Sequence, residues 1–299
     1  IDVPGTLPAA PRHLTAGRTP IRRNPENRIG CDICGQECLF FSRGQYRRTG
    51  LHSYDFALYK CRDCDCLTVY PRPTNIEYPP TRSEDGNFVP NDIYASSPVP
   101  PWNRKIVREL TSHFPDGGEL LDFGANSGKL LALAELAGFR CVGVEIDSVA
   151  AREGARLGRN VVQGDVLRMD FDTKFDAVVM NHVLEHIPEI REVAPTLNKI
   201  IAPGGIVLFN IPYFKGWLPR LMKDSWQQWV PNTHIWFLSK TTIHKLFDPY
   251  FEVSCSARTT CEPLGWEWNV KVWAKLLIAK TAELLGRGDE LHVILRKRA

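Results

Sequence analysis

Short apolar runs alternate with amphipathic segments along the chain from Trp102 onward. The apolar residues of each run are consecutive, which is typical of strands buried on both faces of a parallel sheet. The segments between the runs have helical periodicity, and we predict helices at about 127–137, 148–158 and 189–201. Two later runs, YFEVSCSAR and ELHVILRKR, predict two further strands. The pattern therefore predicts an α/β fold with a Rossmann-like, doubly wound, mostly parallel sheet of seven strands.

The N-terminal third of the chain departs from this pattern. Residues 1–29 are rich in Pro, Arg, Thr and Gly with little periodicity, which predicts a flexible tail. Residues 30–72 contain paired cysteines and form a predicted small module, and the Pro-rich residues 73–103 predict a linker or lid. Residues 104–299 then form the predicted α/β domain.

Two C-x-x-C pairs close a short β-rich segment within the predicted module. Each C-x-x-C turn directs two thiolates toward one point, so two such turns predict a tetrahedral Zn²⁺ site. Its ligands are Cys31, Cys34, Cys61 and Cys64. Cys38 and Cys66 can each replace a ligand or remain a buried thiol, and free cysteines or disulfides are the alternative to zinc. Four thiolates leave no open coordination position, so the predicted metal is structural.

The composition is that of an ordinary globular protein, with 43% hydrophobic and 24% charged residues. No apolar run approaches the ~20 residues of a membrane span, and nine cysteines without a secretion signal predict a cytoplasmic location. The net charge is only +3. The excess lies in residues 1–48, with eight Arg against four acids, and a near-neutral remainder argues against nucleic acid as partner.

Acidic and glycine residues follow the first three predicted strands of the domain. Asp122 ends the first strand, and Gly124 and Gly128 bracket the turn into a helix, where backbone amides favour an anionic group. Glu145 ends the second strand, a position from which an acid accepts hydrogen bonds from a ribose diol. Asp165 follows the third strand. Each acid alone is equally compatible with a helix cap or a solvated loop residue, but together they predict a nucleoside-bearing cofactor.

The glycine loop distinguishes between two such cofactors. A pyrophosphate of NAD is usually bound by G-x-G-x-x-G, and the loop here reads G-A-N-S-G. S-adenosylmethionine has no phosphate, and its methionine carboxylate and ammonium suit a helix N-terminus and a nearby acid. Asp165 is placed to accept a hydrogen bond from the adenine amino group. The sequence therefore favours S-adenosylmethionine.

Residues 104–299 resemble class I S-adenosylmethionine-dependent methyltransferases. The resemblance rests on LLDFGANSG, GVEID, VVQGDV, FDAVVMNHVLEHIPE and IIAPGGIVLFNIP. The cysteine module followed by YPRPT is similar to the N-terminal region of a bacterial subgroup, which extends the resemblance to residues 30–299. It implies that Asp122, Gly124 and Gly128 hold the methionine moiety, Glu145 the ribose and Asp165 the adenine, with Asn181 and His182 beside the sulfonium. Asn126 departs from the family's usual small residue, which narrows the loop or adds a side-chain contact to the cofactor.

Three histidines are candidate catalytic residues. Transfer to oxygen or carbon needs a base, and His182, His186 and His234 are available, with His234 favoured because its segment lines the acceptor pocket in related enzymes. His186 has two alternative roles, as a structural hydrogen-bonding residue or, with Glu185, as a ligand to a metal that orients a diol.

Enzymes with this layout suggest a small-molecule acceptor: a sugar, a polysaccharide precursor or a secondary metabolite. One alternative is an RNA methyltransferase that uses the module and the Arg-rich arm, and another is a non-enzymatic zinc adaptor. The late amphipathic helix NVKVWAKLLIAKTAELLG packs on the sheet by default, with contact to a membrane surface or a partner chain as the alternative. The acceptor atom and the oligomeric state stay open.

Overall fold

The structure is a computed structural model that describes residues 28–46, 54–73, 101–222, 226, 228–231, 233–259 and 270–298. Residues 1–27 of the predicted tail and 74–100 of the predicted linker lie outside the described residues. The described strands, in chain order, are β1 (Arg28–Gly30), β2 (Glu37–Tyr46), β3 (Tyr54–Cys61), β4 (Leu67–Tyr70), β5 (Gly118–Phe123), β6 (Phe139–Glu145), β7 (Val161–Gln163), β8 (Phe175–Val179), β9 (Ile201–Pro212), β10 (Trp236–Phe237), β11 (Phe251–Arg258) and β12 (Glu290–Lys297).

Seven of these strands form one sheet in the order β11-β12-β9-β8-β5-β6-β7. The five strands from β5 to β9 are parallel, whereas β12 runs antiparallel to both β9 and β11. The predicted α/β class and the seven-stranded, mostly parallel sheet are thus confirmed. Strand β5 lies between β8 and β6, so the carboxyl ends of these strands meet at one edge of the sheet.

Helices cover both faces of this sheet. The described helices, in chain order, are α1 (Pro101–His113), α2 (Lys129–Leu136), α3 (Ser148–Arg156), α4 (Ile190–Ile200), α5 (Trp217–Met222), α6 (Lys240–Phe247) and α7 (Val270–Leu284). Two short 3₁₀ helices span Val166–Arg168 and Leu184–His186. Helix α3 begins at Ser148 because the Asp147 carboxylate accepts hydrogen bonds from the first-turn amides of Val149 and Ala150. The three helices predicted between strands are therefore confirmed.

The consecutive apolar residues of the central strands separate two hydrophobic cores. On β8, Ala177 and Val179 pack in the core beneath α1 and α2, whereas Val178 packs in the core on the opposite face. All three are completely buried. This two-sided burial is the physical reason why the strands read as continuous apolar runs.

The cysteine-containing residues form a second sheet of order β1-β2-β3-β4-β10. Its last strand comes from the α/β domain: Trp236 pairs with Thr68, and Phe237 pairs with Leu67. Strand β10 was not predicted, because a strand of two residues has no measurable periodicity. The module also begins with β1 at Arg28, two residues before the predicted boundary, and α1 begins at residue 101 rather than at 104.

Helix α7 buries Ala279 and Ala282 but leaves Leu277 and Ile278 exposed. Among the described residues, no helix combines the length and the apolar character that a membrane crossing requires. Peripheral contact of α7 with a membrane or a partner chain stays a prediction.

Candidate active site

The loop between β5 and α2 has three residues in the left-handed backbone region. Their φ angles are 83° at Gly124, 51° at Asn126 and 74° at Gly128. A Cβ at Gly124 would lie 2.5 Å from a methyl carbon of Val183, so the first glycine is required for close approach as well as for its backbone angle. Asn tolerates this region better than most residues, and its Oδ1 accepts a hydrogen bond from the Ser127 amide at 2.6 Å. Asn126 therefore preserves the turn.

Glu145 joins the end of β6 to this loop. Its Oε2 accepts from the Asn126 amide and its Oε1 from the Asp147 amide, each at 2.8 Å. The side chain is buried, and burial raises the pKa of its carboxyl above the ordinary value. Each carboxylate oxygen has two acceptor sites, so these two bonds leave acceptor capacity for a ligand hydroxyl.

Asp122 lies beside Glu145 at the centre of the same sheet edge, paired across the sheet with Gly143 of β6 and Val179 of β8. It is 5% exposed. Burial, assisted by the negative charge of Glu145, raises the pKa of Asp122 to about 7. A buried acid with a pKa near neutral pH is stabilised as a carboxylate by any cationic group that enters the site.

Asp165 follows β7 and is half-buried. Its Oδ1 accepts from the Leu167 amide at 3.0 Å and so caps the 3₁₀ helix that begins at Val166. The helix-cap role considered from the sequence is therefore real. It occupies one oxygen of a carboxylate that can accept further bonds.

Asn181 and His182 lie at the end of β8, beside the glycine loop. Asn181 Oδ1 accepts from Asn210 Nδ2 at 2.7 Å, and His182 has a left-handed φ of 55°. The side-chain oxygen of Asn210 contacts His292 Nδ1 at 2.9 Å. The second ring nitrogen of His292 contacts Glu109 Oε1 at 2.9 Å. This polar chain was not predicted, because its members lie on β9, β12 and α1 with no common spacing in the sequence.

His182 is held between two carboxylates. Its Nδ1 lies 3.2 Å from Glu185 Oε1, and its Nε2 lies 2.9 Å from Glu290 Oε1. Burial opposes protonation, but the hydrogen bonds to both acids outweigh it and raise the pKa of His182 above its ordinary value. The same pairing lowers the pKa of Glu185, although burial alone would raise it. An imidazolium that donates one hydrogen bond from each ring nitrogen has no lone pair left, so it is poorly suited to accept a proton.

The other two histidines contact each other, with ring centroids 4.8 Å apart. His186 Nδ1 donates to the carbonyl oxygen of Thr233 at 2.8 Å, and His234 Nδ1 donates to that of Gln228 at 2.9 Å. Burial is the main cause that lowers the pKa of His234, to about 4. The structure thus brings His182, His186 and His234 together around Glu185, as the sequence suggested for His186 alone.

The four predicted zinc ligands also converge. Their sulfur atoms all lie within 4.8 Å of one another, with Sγ–Sγ distances of 3.6 Å for Cys31–Cys64 and 3.4 Å for Cys34–Cys61. Sulfur atoms at tetrahedral corners around Zn²⁺ lie about 3.8 Å apart, given a Zn–S bond of about 2.3 Å. All four are free thiols. The donor set and its spacing therefore fit the predicted zinc site.

Cys38 and Cys66 lie next to this set. Cys31 Sγ is 3.8 Å from Cys66 Sγ, and Cys31, Cys38 and Cys66 form a second group with sulfur atoms within 4.8 Å. Either spare cysteine is therefore near enough to exchange with a ligand, as the sequence allowed.

The large sheet is doubly wound, its glycine loop lacks the G-x-G-x-x-G pattern that binds a pyrophosphate, and an acid ends the neighbouring strand. These features define a Rossmann-like domain for a nucleoside cofactor. Residues 100–250 match the family model described as a methyltransferase domain. The chain belongs to this methyltransferase family, and the resemblance to S-adenosylmethionine-dependent methyltransferases is confirmed.

The sequence identity to individual relatives is low. The chain is 25% identical over 148 residues to the C-methyltransferase NovU of Streptomyces niveus, an alignment that covers 45% of this chain and 33% of NovU. It is 23% identical over 161 residues to the ubiquinone biosynthesis O-methyltransferase of Rickettsia bellii, covering 46% and 67% of the two chains. The PH0226 protein of Pyrococcus horikoshii aligns with a TM-score of 0.49 and 17% identity, over 69% of this chain and 95% of its own.

Proposed function

We propose that the protein transfers the methyl group of S-adenosylmethionine to a small-molecule acceptor: a sugar, a polysaccharide precursor or a secondary metabolite. The proposal rests mainly on the contact between Glu145 and the glycine loop. This contact holds an acid and a loop without the pyrophosphate-binding pattern at one edge of the sheet. Two relatives are named as a C-methyltransferase and an O-methyltransferase, which supports transfer to carbon or oxygen.

In this proposal, each end of the cofactor meets a different strand end. The amides of the Gly124–Gly128 loop and the carboxyl of Asp122 bind the carboxylate and the ammonium of the methionine moiety. The two oxygens of Glu145 accept from the ribose hydroxyls, and Asp165 accepts from the adenine amino group. Asn181 and His182 form the wall beside the sulfonium. Asn126 contributes chiefly through its backbone, because its side chain is engaged with the Ser127 amide.

Methyl transfer needs little chemistry from the protein, because a sulfonium is already a good leaving group. The protein holds the acceptor nucleophile in line with the methyl carbon at roughly 3 Å. A hydroxyl or carbon acceptor must also lose a proton, and we assign this to the group around Glu185. There, His182 is held by Glu185 and Glu290, and His186 and His234 are the candidates to accept the proton, with His234 favoured.

The cysteine set binds one Zn²⁺ with a structural role in this proposal. Cys31, Cys34, Cys61 and Cys64 would saturate the ion as thiolates, so it would take no part in the chemistry. Its effect would be to join the connection between β1 and β2 to the connection between β3 and β4, and so to hold the small sheet together.

Calorimetry with the purified protein tests the cofactor. We expect S-adenosylmethionine, or its demethylated product S-adenosylhomocysteine, to bind with a dissociation constant of about micromolar magnitude, and NAD to give no measurable heat. The reason is that the loop offers amides and glycines to a carboxylate but lacks the G-x-G-x-x-G pattern that receives a pyrophosphate. Tight binding of NAD with no heat from either methionine compound would overturn the proposed function.

Replacement of Glu145 tests the ribose contact. Glu145→Ala is expected to weaken S-adenosylhomocysteine binding by about 1–3 kcal/mol, because it removes charged hydrogen bonds to a diol. It also removes two bonds to backbone amides, so a modest fall in thermal stability is expected. Glu145→Gln is the matched variant, since it keeps one acceptor oxygen and the shape of the side chain. An unchanged binding constant in Glu145→Ala would reduce Glu145 to a residue that only braces the loop.

A further inference from the structure

We propose that Glu185, His186 and His234 bind one divalent transition-metal ion on the acceptor side of the active site. One carboxylate oxygen of Glu185 and one ring nitrogen from each histidine lie within 4.8 Å of one another. Glu185 and His186 are adjacent in the 3₁₀ helix Leu184–His186, and His234 reaches them from the segment before β10.

Glu185 provides the strongest reason to expect a cation. Its side chain is 1% exposed, and its Oε1 contacts His182. Its Oε2 is buried and, within the described part of the chain, has no hydrogen-bond partner. A buried carboxylate oxygen without a partner costs several kcal/mol in general, so native sites usually supply a donor or a metal ion.

Both histidines are oriented by hydrogen bonds to the backbone. Their Nδ1 atoms donate to the backbone carbonyls of Thr233 and Gln228, which selects the tautomer with its lone pair on Nε2. Metal-ligating histidines are usually held in this way, with the second ring nitrogen bonded to a carbonyl or a carboxylate.

The backbone fixes the third ligand relative to the first two. The Ile235 amide, next to His234, donates to the carbonyl oxygen of Glu185 at 3.0 Å. The His234 amide donates to the carbonyl oxygen of Val230 at 2.8 Å. The two segments that carry the proposed ligands are thus joined by a backbone hydrogen bond, which fixes their position relative to each other.

The donor set selects the class of metal. Two imidazole nitrogens and one carboxylate oxygen suit Zn²⁺, Fe²⁺, Co²⁺ or Mn²⁺, whereas Mg²⁺ and Ca²⁺ prefer all-oxygen surroundings. Three protein ligands leave open positions on such an ion, in contrast to the closed four-cysteine set.

The open positions indicate the acceptor, and this step rests on the proposed function. A molecule with two adjacent oxygens, such as a diol or a hydroxy-ketone, can occupy two open positions of one metal ion. A metal-bound hydroxyl loses its proton more readily, in the same way as metal-bound water. His234 would then act as a ligand rather than as the base, because the metal would lower the pKa of the bound hydroxyl enough for its proton to pass to solvent water.

Cobalt titration of zinc-loaded protein tests the site without any acceptor. The four-cysteine set is filled with Zn²⁺ first, and Co²⁺ binding is then followed by visible absorption and equilibrium dialysis. We expect one further Co²⁺ per chain in the wild type, without the intense sulfur-to-metal absorption of a thiolate site. Glu185→Gln and His234→Gln are expected to weaken Co²⁺ binding by about tenfold or more, since each removes a ligand.

His244→Gln is the matched control, because His244 is an exposed residue of α6 that contacts Asp248 and is not a member of the cluster. S-adenosylhomocysteine binding is measured in every variant, and it shows whether the domain is folded. If Glu185→Gln fails to fold, His234→Gln carries the test. Cofactor binding with no second metal in the wild type, or with Co²⁺ retained by folded variants, overturns the metal site but not the proposed function. Loss of cofactor binding in the wild type would instead contradict the proposed function.

Discussion

Removal of the zinc ligands is expected to abolish methyl transfer while largely preserving cofactor binding. In Cys31→Ser with Cys61→Ser, one ligand is lost from each C-x-x-C pair, and the remaining two thiolates cannot complete a tetrahedral site. Structural zinc sites of this type contribute on the order of 10 kcal/mol to the fold of the segment that carries them. We therefore expect the double variant to lose its zinc and to unfold locally within residues 28–73.

The loss should extend to the acceptor side of the active site. Strand β10 pairs with β4, and the hydroxyls of Ser239 and Thr242 both donate to the carbonyl oxygen of Cys64. The residues immediately before β10 include His234, so an unfolded module would release the segment that positions this histidine. Asp122 and Glu145 lie on the large sheet and should still bind S-adenosylhomocysteine.

Metal analysis, calorimetry and a turnover assay measure these three expectations separately. Cys255→Ser is the control, since Cys255 lies on β11 and is a free thiol of intermediate burial. Zinc absent from wild-type protein purified under reducing conditions without chelator would count against the site. Zinc retained in the double variant would reassign the ligands, with Cys38 and Cys66 as the first replacements.

Turnover should fall by about 10²–10⁴-fold in His234→Ala, the usual contribution of a positioned base. The same variant should bind S-adenosylhomocysteine as tightly as the wild type, because the proposed cofactor contacts come from the ends of β5 to β8. His182→Ala is expected to disturb both quantities, since it removes the ion pairs to Glu185 and Glu290 at the proposed sulfonium wall.

The assay measures release of S-adenosylhomocysteine with an acceptor found by screening nucleotide sugars and phenols with adjacent hydroxyls. His244→Ala serves as the control for loss of a histidine. Wild-type turnover in His234→Ala across pH 6 to 9 would show that His234 is neither base nor ligand, and would favour an amine acceptor. A loss of turnover agrees with both roles, and the cobalt titration decides between them.

The sequence predicted the sheet and the acids at its edge because both depend on local rules. Continuous apolar runs report burial on two faces, and Asp122, Glu145 and Asp165 follow directly from the ends of such runs. The same rules placed Cys31 and Cys34 opposite Cys61 and Cys64, because C-x-x-C turns are a local signal.

Contacts between distant segments could not be predicted in this way. Glu290 is 108 residues from His182, and neither residue type nor spacing relates them. The hydrogen bond between Ile235 and Glu185, which sets His234 beside His186, is likewise a product of tertiary packing. The histidines were predicted as candidates from residue type alone, whereas the burial of Glu185 among them could not be predicted from the sequence.

Strand β10 belongs to the α/β part of the chain but pairs with β4 of the cysteine module. This pairing limits which substitutions and which chimeras the protein can tolerate. Arg72, just after β4, stacks on Trp236 with its guanidinium carbon 4.5 Å from the ring centroid, and the Trp236 indole donates to Ile187. A cysteine module grafted from a relative would have to present a matching fourth strand to residues 235–239. Across related sequences, substitutions in β4 and in residues 235–239 are therefore expected to occur as correlated pairs, and a chimera that changes only one of them should lose acceptor chemistry before it loses the cofactor.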